Sequence, residues 1–123
     1  MQITPTPRIL LTGVILELTL ATAIIHLTLG GTLFLLNGLG YLALGAIYIA
    51  SVALPALRRH ALLPKAALAL YASITIAAYL VTGPYFTLGW VTKGIEIAIV
   101  SLVAADLLSD ADAGRASGRP TRA

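Results

Sequence analysis

The fold of this chain is decided by residues 9–29, whose sequence is ILLTGVILELTLATAIIHLTL. The run is as long as the roughly 20 apolar residues that cross the hydrocarbon core of a bilayer. Glu17 is its one acidic residue, and a carboxylate at this position is costly to bury in lipid. The stretch therefore predicts a transmembrane helix and makes Glu17 the first candidate for a functional residue.

The composition of the whole chain predicts an integral membrane protein with one domain. Of its 123 residues, 59% are hydrophobic and 11% are charged, whereas charged residues make up about a quarter of an ordinary soluble domain. Cysteine is absent, which excludes disulfides, thiolate nucleophiles and cysteine metal sites. The net charge of +3 comes from bases that flank apolar runs, so we expect the lipid bilayer and not nucleic acid as the partner.

Four apolar segments follow one another, at residues 9–29, 33–54, 66–82 and 88–108. Their short connections predict that sequential helices pack antiparallel. We expect an all-α fold, a four-transmembrane-helix antiparallel bundle in residues 1–108, followed by a short mobile cytoplasmic tail in residues 109–123. The first helix could instead continue to Leu36 and turn at Asn37 and Gly38. That boundary would leave the second span short, so we favour Asn37 inside the second span.

The basic residues predict the orientation in the membrane. Four antiparallel spans place seven of the eight Lys and Arg residues on one side: Arg8, Arg58, Arg59, Lys65, Arg115, Arg119 and Arg122. By the positive-inside rule that side is cytoplasmic, so both termini are expected in the cytoplasm and the protein in the cytoplasmic membrane. Only Lys93 falls toward the outer face.

Small residues at helical spacing predict the faces on which the helices pack. Lipid is as apolar as the side chains, so close backbone approach has to contribute to helix association. The expected seams are Ala43, Ala46, Ala50 and Ala53 on the second span, and Gly94, Ala98, Ser101 and Ala105 on the fourth. They support a compact bundle and leave open a homo-oligomer or a larger membrane complex.

Five polar residues within the spans are candidates for a proton or ligand site: Glu17, His26, Asn37, Lys93 and Glu96. At 100° per residue, His26 lies on the opposite side of its helix from Glu17 and ~13 Å farther along it. We expect His26, Asn37 and Lys93 near the outer face, with Glu96 about one turn deeper. Lys93 and Glu96 can pair at i and i+3, either as a structural pair or as part of a site.

Glu17 lies at its own depth, level with hydroxyl groups on the other helices, and no basic residue shares that depth. We expect its hydrogen-bond partners among Tyr48, Ser73, Thr75 and Ser101. A neutral glutamic acid held by such groups and a proton carrier are both compatible with the sequence.

No catalytic residues, metal site or cofactor is expected. His26 and His60 are too far apart to hold one haem iron, and no zinc spacing, P-loop or nucleophile elbow is present. No nucleophile and base stand out as a pair, so an enzyme is not expected.

Two family resemblances rest on particular stretches. Residues 24–30 (IIHLTLG) and 34–42 (FLLNGLGYL), with Arg58-Arg59 before the third helix, resemble small four-helix prokaryotic membrane proteins of unknown function. That resemblance implies the fold and no activity. Residues 13–17 (GVILE) are similar to the segment in which small multidrug resistance transporters carry an essential Glu. The chain lacks the third-helix glycine motif of those transporters, and His26, Lys93 and Glu96 have no place in their pattern.

Together these features predict a non-enzymatic multi-pass membrane protein that acts as an accessory or interaction subunit. The alternative is a small proton-coupled transporter or channel-like oligomer that uses Glu17, with His26, Lys93 and Glu96 at an outer site.

Overall fold

The computed structural model describes residues 7–118, and these residues form helices joined by short connections. We name the four long helices α1 (Pro7–Thr28), α2 (Thr32–Ala53), α3 (Leu62–Thr82) and α4 (Thr87–Ser117). A short 3-10 helix, Pro55–His60, lies between α2 and α3. The all-helical prediction is thus confirmed for the described part of the chain.

The first connection is a tight turn made possible by glycine. Gly30 and Gly31 adopt φ angles of 76° and 86°, a region that residues with a Cβ rarely enter. α1 therefore ends at Thr28, and Asn37 lies inside α2. The favoured boundary is confirmed, and the alternative turn at Asn37 and Gly38 is wrong.

Three helices, α1, α2 and α3, are long and apolar enough to cross a membrane. This agrees with an integral membrane protein. α4 differs because its apolar run carries Lys93, Glu96 and Asp106, all of them buried against the other helices.

The prediction of a mobile tail from residue 109 onward is wrong for residues 109–117. α4 continues without interruption to Ser117. The physical reason is that Asp110 binds Lys65 of α3, with 2.8 Å between Nζ and Oδ2, and also pairs with Arg8 of α1. These contacts hold α4 against its neighbours as far as Asp110, and residues 111–117 extend the helix with exposed side chains. The remainder of the expected tail, residues 119–123, lies outside the described residues.

The contacts show which helix ends lie together. Arg8 at the start of α1 and Lys65 at the start of α3 both pair with acidic residues late in α4. The Tyr48 hydroxyl, late in α2, donates to Asp106 at 3.2 Å. We call this the Arg8 end of the helices. At the opposite end, which we call the Pro84 end, α3 and α4 are joined by residues 83–86.

The core between the helices holds aliphatic and aromatic side chains, and α1 packs against both α2 and α4. Its fully buried members are Ile15, Ala23, Tyr41, Tyr48, Leu68, Ala72, Ile99 and Val103. Two of them are tyrosines, and each hydroxyl finds a partner on another helix: Tyr41 pairs with Thr75 at 2.9 Å, and Tyr48 donates to Asp106. Lipid offers no such partners, so these side chains point inward.

The predicted small-residue seams do not pack the helices of this chain together. Exposed members are Ala43, Ala46 and Ala53 on α2 and Gly94, Ser101 and Ala105 on α4. Ala50 and Ala98 are only half-buried. The buried face of α2 instead carries the two tyrosines, because their hydroxyls need partners and an alanine needs none.

Candidate functional site

The candidate site is a buried group of polar side chains from α1 and α4, which we call the Glu96 cluster: Thr22, His26, Lys93 and Glu96. Lys93 Nζ lies 2.5 Å from Glu96 Oε2, so the i and i+3 residues of α4 form an ion pair. From α1, Thr22 Oγ1 donates to Glu96 Oε1 at 3.4 Å, and His26 Nε2 lies 3.8 Å from the same oxygen. Glu96 is 0% exposed, so its charge is balanced inside the protein.

The hydrogen bonds of His26 fix which ring nitrogen carries the proton. His26 Nδ1 lies 2.8 Å from the Thr22 carbonyl oxygen, which can only accept, so Nδ1 donates. A neutral His26 then presents the lone pair of Nε2 to Glu96. One additional proton between Nε2 and Glu96 Oε1 turns this contact into an attractive one. The cluster thus places His26 Nε2 and Glu96 Oε1 side by side, next to the Lys93–Glu96 pair.

Lys93 has a second stabilising contact. Its Nζ lies 5.4 Å from the centre of the Tyr79 ring, within the range of a cation–π interaction. Glu96 and Tyr79 together compensate a cation in the second turn of a helix, where the macrodipole opposes positive charge. Lys93 is thus held near the Pro84 end by one contact within α4 and one contact with α3.

A cavity of about 400 Å³ lies beside the Glu96 cluster. Its walls come from α1, α2, α3 and α4 and are mostly apolar, with Phe34 and Phe86 among them. Three of the five predicted site residues line it: His26, Asn37 and Lys93. Glu96 lies behind Lys93 and is joined to it by the ion pair. The structure therefore brings four of the five predicted residues together, at or next to one cavity.

Gly40 shapes the same region. A Cβ at Gly40 would overlap the hydroxyl of Tyr71, whose ring lies against α2 and whose hydroxyl donates to the Asn37 carbonyl oxygen at 3.2 Å. The glycine thus lets an aromatic wall of the cavity approach the α2 backbone. The sequence indicates such a close approach through the glycines that follow Asn37.

Glu17 is the predicted residue that the structure separates from the others. It is exposed on the outer side of α1, while His26 is buried, as their opposite positions around the helix predict. The expected hydrogen-bond partners are wrong. Tyr48 donates to Asp106, Thr75 pairs with Tyr41, and Ser73 and Ser101 donate to carbonyl oxygens of their own helices.

A second polar group, at the Arg8 end, is missed by the sequence reasoning, and its Tyr48, Lys65 and Asp106 are buried. We call it the Asp106 cluster: Arg8, Tyr48, Lys65, Asp106 and Asp110. Lys65 Nζ lies 2.8 Å from both Asp106 Oδ2 and Asp110 Oδ2, and Asp106 also lies 4.0 Å from Arg8. The sequence feature that could have indicated this cluster is the i and i+4 spacing of Asp106 and Asp110. This spacing places them on one face of a helix that continues past residue 108.

The described residues include no group of three or more His, Asp or Glu side chains arranged to hold a metal ion. Comparison with protein-family models, with curated proteins and with solved structures finds no match for this chain. Chemically, the Glu96 cluster can offer the N–H donors of Lys93 to the adjoining cavity.

Proposed function

We propose that the chain is a four-span antiparallel bundle of the cytoplasmic membrane, with both termini in the cytoplasm. It acts there as a non-enzymatic interaction subunit that binds another transmembrane helix through α1. The observation that carries the proposal is the exposed carboxyl of Glu17 on an apolar helix.

The pairing of charges supports α4 as the fourth span. Lys93 is neutralised by Glu96 within the helix, and Asp106 is neutralised by Lys65 of α3. A charge that is paired and faces the bundle interior is far less costly in a membrane than one that faces lipid. The contacts of Arg8 and Lys65 with the last turns of α4 also support the antiparallel arrangement.

The distribution of basic residues supports the orientation. Arg8 and Lys65 lie at the Arg8 end, and the 3-10 helix before α3 adds Arg58 and Arg59 there. Lys93 belongs to the Pro84 end. Loops rich in Lys and Arg stay in the cytoplasm, so the Arg8 end is assigned to the cytoplasmic side.

The surface around Glu17 suits a second helix. Exposed residues repeat along one side of α1 at helical spacing: Leu10, Val14, Glu17, Leu20 and Ile24. Glu17 lies near the middle of this stripe, ~15 Å along the axis from Pro7. None of the ion pairs or side-chain hydrogen bonds within residues 7–118 involves it. In hydrocarbon its carboxyl needs a partner from outside the chain.

Small residues flank Glu17 on the same side of the helix. Gly13 lies four residues before it and Ala21 four residues after it, and a Cβ at Gly13 would meet no atom within 4 Å. Gly13 and Ala21 are about two turns apart on one face, and small residues on a helix face let two helix backbones come close. The partner helix is therefore expected to supply a hydrogen-bond donor to Glu17 between these two positions.

The test compares Glu17→Leu with Glu17→Gln in protein purified in mild detergent. Leu removes the hydrogen bond, and we expect association to weaken roughly tenfold, the effect of an interhelical hydrogen bond worth about 1 to 2 kcal/mol. Gln keeps hydrogen-bonding atoms and should keep most of the association. Particle mass measured by native mass spectrometry reports the result.

Ser101→Leu is the matched control, because Ser101 is an exposed polar residue on α4 that bonds only its own helix. It should leave the particle mass unchanged. A wild-type particle that contains only one chain and no other protein would refute the proposal. Equal masses for wild type and Glu17→Leu would refute the role of Glu17.

A second candidate is a proton-coupled transporter or channel-like oligomer that uses Glu17. The outward position of Glu17 favours this candidate as well, because a carboxyl at a subunit boundary can bind and release a proton. Glu17→Gln separates the candidates, since glutamine hydrogen-bonds but does not ionise. Loss of proton flux into reconstituted vesicles with assembly intact would support the transporter, and unchanged flux would remove it.

A further inference from the structure

The cavity at the Pro84 end is lined in part by residues of α2 and α3 that also lie on the outer surface. Three of its lining residues are also among the exposed apolar side chains of the outer surface: Leu33 at 78%, Leu36 at 60% and Ile74 at 57%. Apolar residues of this kind on a membrane helix face the lipid. A molecule that enters between them comes from the bilayer and is therefore lipophilic.

The inner wall of the cavity is polar and carries no net charge. Lys93 lines it, but its charge is cancelled by Glu96 at 2.5 Å. An anion would have to compete with Glu96 for the ammonium group, and a cation would meet Lys93 directly. The wall therefore favours an uncharged molecule.

Two hydrogen-bond donors are available at this wall. The ammonium of Lys93 has three N–H groups, and Glu96 is its one hydrogen-bond acceptor among residues 7–118. The side-chain amide of Asn37 lines the same cavity and makes no hydrogen bond within the described residues. Asn37 is half-buried, and its amide is free to donate a hydrogen bond to a ligand that carries acceptor atoms.

The remaining wall suits a flat ring. Phe34, Tyr71, Tyr79 and Phe86 all line the cavity, and aromatic faces pack well against planar molecules. A volume of about 400 Å³ is within the range of small-molecule sites. We propose that this cavity binds a quinone ring from the bilayer, with Lys93 and Asn37 donating hydrogen bonds to its carbonyl oxygens.

The test uses three probes of one shape with the full chain in detergent micelles. Methylnaphthoquinone carries two carbonyl oxygens, methylnaphthalene carries none, and naphthoate carries a negative charge. We expect the quinone to bind about tenfold tighter than the hydrocarbon, as a hydrogen bond of ordinary strength requires. Naphthoate should bind most weakly. Dissociation constants come from calorimetric titration, with empty micelles as the blank.

Two variants locate the site. Asn37→Leu removes a side chain that makes no hydrogen bond within residues 7–118, so it should leave the fold intact and lower quinone affinity several-fold. Lys93→Met should also lower quinone affinity several-fold and remove most of the preference for the quinone over the hydrocarbon. Ser101→Leu is the control, because Ser101 does not line this cavity. Helix content by circular dichroism verifies that each variant is folded.

Several results would overturn the proposal. Equal affinities for the quinone and the hydrocarbon would show that the polar wall takes no part, and tighter binding of naphthoate would make the site an anion site. Quinone binding that survives both Asn37→Leu and Lys93→Met would place the ligand elsewhere. The inference goes beyond the proposed interaction of α1, and Glu17→Leu should leave the quinone affinity unchanged, so the two proposals fail separately.

Discussion

The two ends of the helices both bury charged residues, and they do so in different ways. At the Arg8 end, the Asp106 cluster joins α1, α3 and α4, with one lysine shared by two aspartates. At the Pro84 end, the Lys93–Glu96 ion pair lies within α4 and is completed by Thr22 and His26 of α1. The first arrangement connects helices, and the second leaves a neutralised lysine at the wall of a cavity.

This difference shows that burial alone does not say what a charged group does. A buried ion pair brings little net stability compared with apolar residues, but removal of one partner is costly. That cost depends on how many charges lose their partner and on whether another group can take over. The two clusters differ in both respects, so mutations in each cluster can test the difference.

Lys65→Met should give the largest effect. It leaves Asp106, which is 2% exposed, and Asp110 on neighbouring turns with only Arg8 to balance two negative charges. We expect a loss of about 3 to 5 kcal/mol in the free energy of unfolding. Unfolding in mixed micelles of mild detergent and dodecyl sulfate, followed by circular dichroism, measures it.

The control for this variant is Asp112→Ala on α4, the helix that carries Asp106 and Asp110. Asp112 pairs with Arg115 at 3.8 Å, and both side chains are exposed, so the expected change is below about 1 kcal/mol. If Lys65→Met were as mild as Asp112→Ala, the Asp106 cluster would not hold the three helices together.

Lys93→Met should be less destabilising, at about 1 to 3 kcal/mol. It leaves a single acidic residue, Glu96, whose Oε1 keeps the hydrogen bond from Thr22 at 3.4 Å. The same unfolding assay applies. A loss as large as that for Lys65→Met would mean that the two clusters have the same structural role.

Much of the architecture can be predicted from particular residues. The length of residues 9–29 predicts α1, the pair Gly30 and Gly31 predicts its end, and the i and i+3 spacing of Lys93 and Glu96 predicts their pairing. Each of these is a local property of the chain. Local spacing also places Glu17 and His26 on opposite sides of α1.

The rotation of each helix could not be predicted in the same way. In a soluble protein the apolar side of a helix identifies the core, but both sides of a membrane helix are apolar. The spacing of Ala43 and Ala46 therefore predicts a packing face of the bundle, whereas both residues are exposed in the structure. The Asp106 cluster was missed for a related reason, since Asp110 becomes a partner of Lys65 only when α4 is known to continue.

Removal of a tyrosine hydroxyl is a smaller perturbation than removal of a charged side chain. Tyr48 donates to the carboxylate of Asp106, whereas Tyr41 pairs with the neutral hydroxyl of Thr75. A hydrogen bond to a charged group contributes about 1.5 to 3 kcal/mol, and one between neutral groups about 0.5 to 1.5 kcal/mol. Tyr48→Phe should therefore destabilise the protein more than Tyr41→Phe in the same assay. The reverse order would show that Asp106 does not depend on this hydroxyl.

The smallest effect is expected for Ala46→Leu on the exposed side of α2. If the buried polar clusters and the core fix the helices, a larger apolar side chain that points outward changes the free energy of unfolding by less than about 0.5 kcal/mol. Ala72→Leu is the matched control, because Ala72 is 0% exposed and the added atoms overfill the core at about 1 to 3 kcal/mol. A large loss for Ala46→Leu in the isolated chain would mean that α2 packs through its alanine side. A change confined to particle mass would instead assign that side to a contact with another protein.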